Sequence, residues 1–384
     1  MKKIAYVINH SAFFYSHIID VAVNAKKKKY QVKLFCGKPS SKEMEIFAKK
    51  KIRQKKIFIE QNISKSSSIN ILKEIIAFMQ LRKSIKRYKP DIVHCASPKG
   101  IIFGGLISRL LNIRSVVIFN SGMGFLFSNK INFIFKFFRI LYLFLLKNFI
   151  MKHSNKKVIV ENKDDYFFLS NTYNLKSSEI KLIKGAGVDL KKFKFLKKID
   201  TKTILLPARV IKEKGIVEFI HAAISLKKKF PDWKFIIAGT LDYDKQSKLN
   251  LATIKNLNKN NVVKFLGYVK FMNRLYKKSS IVCLPSYREG FSRTLQEAAA
   301  SGLPIVTTNV VGCKDSIIPN VTGLLCKPKD SKSLEKKLET LMMDRNKRIL
   351  FGLNGRKLAV KEFGLEKVLK NNLDIYDNLI QNIK

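Results

Sequence analysis

The chain has 384 residues, of which 46% are hydrophobic and 27% charged. That length suits two domains of about 180 residues each, both large enough to bury a core. Lysine and arginine number 75 against 28 acidic residues, a formal net charge of +47. Only 13 of the basic residues are arginine, they are spread along the whole chain, and no helix-turn-helix, zinc-finger or RNA-binding aromatic motif accompanies them, so nucleic acid is not an expected partner. Such a charge suits an anionic membrane surface and phosphate-bearing ligands instead.

The first apolar run, 4–8, stops at Asn9-His10 and reads as a β-strand rather than a signal peptide. Further strand-like runs at 32–36, 56–59, 91–95, 115–119 and 157–160 alternate with helical patterns such as 70–88 and 100–111. This alternation predicts parallel βαβ units and a Rossmann-like layer. Residues 125–151 depart from it. Phe, Ile and Leu dominate there, and the longest uninterrupted apolar stretch, 140–146, falls far short of the ~18 residues that a spanning helix needs. At 100° per residue Ser128, Asn132, Lys136, Arg139 and Lys147 share one narrow arc, and aromatic and aliphatic side chains fill the remainder. The pattern predicts an interfacial membrane helix in which Lys136, Phe137, Phe138, Arg139 and Lys147 meet the lipid surface. A helix buried in the first domain or at a dimer contact is the alternative.

A second alternating series runs through 203–206, 235–238, 262–265, 281–284 and 304–307 and predicts a second Rossmann-like domain. The expected division is 1–190, 200–363 and a last helix within 364–384. Ligands of open α/β sheets bind beyond the carboxyl ends of strands, so two such domains facing each other make a cleft. The five cysteines show no Cys-x2-Cys pair and the histidines no His-x3-His spacing, so neither a metal site nor a disulfide framework is expected. Asp242-Tyr243-Asp244 matches a metal motif by letters but follows the strand at 235–238 in a polar loop.

The segment from Glu289 to Glu297 says most about function. The strand before it should end near Pro285, leaving Glu289, Gly290 and Phe291 at a helix start and Glu297 inside that helix. A helix start offers backbone N–H groups to a sugar or phosphate oxygen, and carboxylates accept paired hydroxyl hydrogen bonds. Two glutamates at this spacing, taken alone, favour the plainer reading of a surface Glu and a helix Glu with no ligand.

Glu289-Gly290-Phe291 followed by Glu297 resembles the signature of retaining glycosyltransferases of family 4, which have the two-domain GT-B fold. Arg209 to Gly215 is similar to that family's Arg-x4-Lys-Gly, in which the Arg and Lys hold the diphosphate of a nucleotide sugar. Gly267-Tyr268-Val269 resembles the loop whose backbone reads the base, Gly302-Leu303-Pro304 follows downstream, and Gly187-Val188-Asp189 resembles the interdomain linker. The resemblance implies Glu289, Arg209 and Lys214 as catalytic, with Tyr268, Val269, Gly290, Phe291, Ser292 and Glu297 completing the donor site. Glu289 would contact the donor sugar and Glu297 the ribose. Ser11, His17, Ser121 and Gly122 resemble the acceptor-side loops of the branch that builds lipid-linked surface glycans, with Asn120 and Ser121 standing where relatives carry a donor-contacting His. In relatives of this fold the last helix crosses back onto the first domain.

These features imply a retaining hexosyltransferase peripheral to the cytoplasmic face of the bacterial inner membrane. Its expected donor is a UDP-sugar, its acceptor a polyprenyl-diphosphate-linked saccharide, and it needs no cofactor or metal. A nucleotide-sugar epimerase or soluble glucan synthase of the same fold, and a non-catalytic lipid- or nucleic-acid-binding protein, are the alternatives.

Overall fold

The structure, a computed structural model, describes residues 1–39, 41–64, 70–123, 133–195, 201–240, 251–258 and 262–381. The chain divides into two compact units, Met1–Ala186 with Val368–Lys384, and Gly187–Lys367. In the first unit the elements are β1 (Lys3–His10), α1 (Ser11–Phe13), α2 (Ile19–Lys27), β2 (Gln31–Gly37), α3 (Lys42–Gln54), β3 (Phe58–Glu60) and α4 (Ile71–Tyr88). They continue with β4 (Ile92–Ala96), α5 (Pro98–Leu110), β5 (Ser115–Asn120), α6 (Phe133–Leu145), β6 (Lys156–Val160), α7 (Lys163–Tyr173) and β7 (Ile180–Leu182). The seven strands form one parallel sheet in the order β3-β2-β1-β4-β5-β6-β7.

Successive residues of a strand face opposite sides, and β1 buries both. Ile4, Tyr6 and Ile8 pack with α2 on one side, while Ala5 and Val7 join Leu81 and Ile85 of α4 and Ile101 and Ile107 of α5 on the other. The strand order reverses between β1 and β4, a topological switch point at which the carboxyl ends splay to leave a crevice.

The second unit holds β8 (Thr203–Pro207), α8 (Ile216–Lys229), β9 (Lys234–Ala238), α9 (Leu251–Leu257), β10 (Val263–Phe265), α10 (Met272–Tyr276) and β11 (Ile281–Leu284). It continues through α11 (Arg293–Ala300), β12 (Ile305–Thr308), β13 (Gly323–Cys326), α12 (Ser331–Met343) and α13 (Arg345–Leu358). Its six strands are ordered β10-β9-β8-β11-β12-β13, again parallel, with the reversal between β8 and β11. The final helix, α14 (Leu365–Gln381), lays Val368, Leu373, Tyr376 and Leu379 into the core of the first unit. There the Tyr376 hydroxyl meets the Tyr6 hydroxyl at 3.2 Å and His94 Nδ1 at 2.7 Å. Burial pushes His94 down to about 3, so it is neutral.

The interfacial helix expected at 125–151 differs in part. Helix α6 covers Phe133–Leu145, a wider-wound turn follows over Leu146–Ile150, and residues 124–132 lie outside the described residues, as do Asp242, Tyr243 and Asp244. Tyr142, Leu146 and Ile150 are buried against the sheet, so part of the apolar surface packs inward. Phe137, Ile140, Leu141 and Phe144 face out at 59%, 65%, 38% and 54% exposure. Lys136 and Lys147 are exposed beside that apolar strip, but Arg139 is half-buried, so the cationic arc is split rather than continuous. Among the described residues no helix is long and apolar enough to cross a membrane.

Candidate functional site

The carboxyl ends of β8 and β11, at the switch point of the second sheet, gather the residues that the sequence singles out. Pro207 closes β8, and the chain turns through Arg209 into a short 3-10 turn, Lys212–Lys214, before α8. Gly215 ends that turn at φ +71, and a Cβ there would sit 2.2 Å from the Pro285 carbonyl oxygen. Only glycine lets the β8 turn lie this close to the β11 loop. The two loops are also tied by the backbone hydrogen bond from Tyr287 N to Glu213 O, 2.9 Å.

This approach sets Lys214 Nζ 2.5 Å from Glu289 Oε1. Both side chains keep an open edge, at 20% and 13% exposure, and Arg209 is exposed at the end of β8. Glu289 is held from behind, where its N–H donates to Val311 O and Gly312, at φ +77, packs so tightly that a Cβ would lie 2.3 Å from the Glu289 carbonyl oxygen. The sequence reading missed Gly312. Its one signal is a glycine shortly after the apolar run at 304–307.

Phe291 is buried and packs against Phe363, with ring centroids 5.8 Å apart, which anchors the loop that enters α11. Ser292 occupies the N-cap position, but its hydroxyl lies 3.0 Å from Thr294 Oγ1 instead of capping the helix. Glu297, one turn in, is 9% exposed. The Tyr276 hydroxyl donates to its Oε2 at 3.2 Å and Arg293 Nε to its Oε1 at 3.3 Å. Burial raises its pKa above the usual carboxylate range, and the Arg293 charge works against that rise. Tyr276 and Arg293 are thus part of this site, although sequence patterning did not single them out. Beyond β10, Tyr268 is 69% exposed while Val269 packs toward the cluster that contains Phe291 and Leu295.

The acceptor-side residues named from the sequence belong to the first unit. Ser11, directly after β1, is fully buried, and its hydroxyl has no hydrogen-bond partner among the described residues. His17 stacks on Phe13 at 4.3 Å, with Nδ1 2.6 Å from Ser16 Oγ. It lines a small cavity together with His94, Phe119 and Asn372. Ser121 and Gly122 follow β5 directly and are half-buried. Ser11, Ser121 and Gly122 therefore sit at strand carboxyl ends, with His17 close after the first of them. Among the described residues no three His, Cys, Asp or Glu side chains gather in a metal-binding cluster, and all five cysteines are buried and unbridged.

A family model described as Glycosyl transferases group 1 matches residues 188–358, and one described as Glycosyl transferase 4-like matches residues 3–155. The chain is similar to the N,N'-diacetylbacillosaminyl-diphospho-undecaprenol alpha-1,3-N-acetylgalactosaminyltransferase of Campylobacter jejuni, at 29% identity over 83% of this chain and 85% of the relative. It is also similar to the UDP-Gal:alpha-D-GlcNAc-diphosphoundecaprenol alpha-1,3-galactosyltransferase of Escherichia coli, at 26% identity over 82% of each. Among solved structures, Anabaena HepE in complex with UDP-glucose superposes with a TM-score of 0.76 at 16% identity, covering 98% of this chain and 100% of that one. Sucrose-phosphate synthase from Thermosynechococcus elongatus gives 0.78 at 17% identity and full coverage of both chains. At these identities the solved structures speak for the fold alone.

Proposed function

Because the chain belongs to the group 1 glycosyl transferases with a 4-like N-terminal half, and has the GT-B fold, we propose that it moves a hexose or N-acetylhexosamine from UDP to a polyprenyl-diphosphate-linked saccharide. The product is a lipid-linked glycan of bacterial surface or glycoprotein glycan synthesis, and the anomeric configuration is retained. The observation that carries this reading is the convergence of Arg209, Lys214, Glu289 and the Gly290–Phe291 turn on the carboxyl ends of β8 and β11. The relatives named for lipid-diphosphate-linked acceptors support the acceptor class.

In the reaction the bond from the sugar C1 to the diphosphate oxygen breaks and a bond from C1 to an acceptor hydroxyl oxygen forms. The departing diphosphate takes the hydroxyl proton. Negative charge grows on the diphosphate as it leaves, and Arg209 and Lys214 stabilise that charge more in the transition state than in the ground state. Backbone N–H groups at Gly290 and Phe291 add partial positive charge at the start of α11. Glu289 accepts hydrogen bonds from donor-sugar hydroxyls, and Glu297, oriented by Tyr276 and Arg293, accepts from the ribose. Tyr268 and Val269 border the base, while Ser11, His17, Ser121 and Gly122 line the acceptor side. No metal is required by this arrangement of charges.

The enzyme acts at the membrane as a peripheral protein on the cytoplasmic face. Support comes from the outward strip of Phe137, Ile140, Leu141 and Phe144 beside Lys136 and Lys147. Helix α4, which covers the same side of the first sheet, adds a second strip of Ile71, Leu72, Ile75, Ile76 and Met79. Apolar faces bordered by lysine suit an anionic lipid surface. The test is incubation of the protein and bacterial membranes with a panel of radiolabelled nucleotide sugars, followed by lipid extraction. Label from a UDP-sugar in the lipid fraction supports the reading, whereas label confined to a water-soluble glucan or to an epimerised nucleotide sugar contradicts it.

A further inference from the structure

The two loops that meet at the Lys214–Glu289 pair are fastened a second time, through the side chain of Tyr287. Tyr287 stands shortly before Glu289 on the β11 loop, and its hydroxyl donates to Glu218 Oε1 at 2.7 Å. Glu218 is buried in the first turn of α8, shortly after Lys214 and Gly215. The chain from Lys214 to Glu218 and the chain from Tyr287 to Glu289 therefore close a ring, with the ion pair at one end and the phenol–carboxylate bond at the other. The backbone bond from Tyr287 N to Glu213 O, 2.9 Å, crosses between the same two segments.

In such a ring, breaking one contact leaves its partners held close by the others. The bond at Tyr287 is suited to that work, because a hydroxyl donating to a carboxylate is stronger than a bond between neutral groups. Lys329 Nζ lies 5.2 Å from the centroid of the Tyr287 ring, which braces the ring independently of its hydroxyl. The other side of the loop is fixed separately to the end of β12, where Thr307 Oγ1 donates to Leu284 O at 2.7 Å and Thr308 Oγ1 donates to Ser286 O. Tyr287 thus governs the spacing between the β11 loop and the turn that carries Lys214.

We propose that Tyr287 and Glu218 are positioning residues that hold the Glu289 carboxylate at its working distance from Lys214 once a diphosphate has parted the ion pair. This rests on the donor-site reading proposed above, in which the diphosphate takes the charge of Lys214. The two bonds made by Tyr287 do not pass through either member of the pair, so they persist when the ligand binds. The carboxylate that faces the sugar then stays aligned with the charge on the leaving group, and a small misplacement there is costly to the rate.

Tyr287→Phe removes the hydroxyl and keeps the ring beneath Lys329, and two measurements on the full chain test it. Hydrogen exchange needs no substrate: amides in 286–291 should exchange about fivefold faster in Tyr287→Phe, with the interior of α8 and the thermal melt unchanged. In steady-state transfer, kcat should fall about tenfold while the donor KM stays within about twofold of the parent value. Glu218→Leu should behave in the same way, and Glu218→Gln, which keeps a carbonyl oxygen as acceptor, should recover most of the loss. The double variant Tyr287→Phe with Glu218→Leu should be no slower than either alone, because both act through one bond. If Glu218→Leu fails to fold, Tyr287→Phe and Glu218→Gln retain the test. Parental kcat in Tyr287→Phe, or multiplied losses in the double variant, overturns the positioning role. A parent protein that transfers no sugar overturns the donor-site reading instead. The exchange comparison then decides the fastening by itself, since faster exchange confined to 286–291 upholds it and unchanged exchange overturns it.

Discussion

Lys214 Nζ and Glu289 Oε1 lie 2.5 Å apart, joined across 75 residues of sequence by the close approach of the β8 and β11 loops. Without a ligand each charge balances the other, and neither is fully desolvated. On the proposed reading, a diphosphate entering here would draw Lys214 toward itself and release Glu289 for donor-sugar hydroxyls, so one contact would prepare both groups. Lys214→Ala or Arg209→Ala should therefore lower kcat/KM for transfer by about a hundredfold, the loss expected when a charge facing the leaving group is removed. Steady-state assays of both variants check this, and near-normal rates in both would reject the assignment.

The two glutamates should separate in their kinetics. Glu297 is already held by Tyr276 and Arg293, which suits a group that positions the nucleotide in ground state and transition state alike. Glu297→Gln is expected mainly to raise the donor KM, whereas Glu289→Gln should lower kcat, because its contacts tighten as the sugar departs. Small, equal effects on both parameters would mean that the pair is structural.

Much of this arrangement is legible in the sequence because parallel strands buried on both faces appear as unbroken apolar runs, as at 203–206 and 281–284. Strands β7 and β13 went unrecognised, because Lys181 interrupts the first at its centre and Gly323 opens the second, which leaves only three apolar residues in a row. Periodicity measures how wide the apolar face of α6 is, but not which part of it turns inward. That is decided by Tyr142, Leu146 and Ile150 packing on a sheet whose strands come from elsewhere in the chain. Gly312 and Tyr276 escaped for the same reason, since their roles exist only through neighbours set by strand order and loop approach.

Glu161, directly after β6, is 2% exposed, and its Oε1 has no hydrogen-bond partner among the described residues. Burial first, and then the nearby Asp165 carboxylate, push its pKa well above the usual carboxylate range. A carboxyl whose folded pKa is raised contributes most below its unfolded pKa, and that contribution is lost as pH rises through the folded value. Between those limits the stability of the parent protein should fall with pH by up to about 1.4 kcal/mol per unit on account of this group. Glu161→Gln should lack that slope and be the more stable protein at neutral pH. Thermal melts of both proteins from pH 4.5 upward measure the difference, and parallel curves would contradict it.

The outward strip of α6 yields a prediction in which fold and binding part company. Lys136→Gln combined with Lys147→Gln should weaken binding to anionic vesicles roughly 30-fold at moderate salt, from about 1 kcal/mol per basic residue. Added salt should have the same effect on the parent protein. Replacing Phe137, Ile140 and Phe144 with Ser should weaken binding further while leaving the circular dichroism spectrum unchanged, because these side chains are largely exposed. Misfolding of the serine variant, or unaltered vesicle binding by the lysine variant, would place the strip in a protein contact instead.

The most direct test of the central claim is a two-phase transfer assay with purified protein, a radiolabelled UDP-sugar and isolated polyprenyl-diphosphate-linked saccharide. The parent protein should carry label into the organic phase with one UDP released per sugar transferred, and Lys214→Ala should transfer at about a hundredth of that rate. UDP-sugars that are neither bound nor consumed, or label that remains wholly in the aqueous phase at every acceptor concentration, would contradict the account.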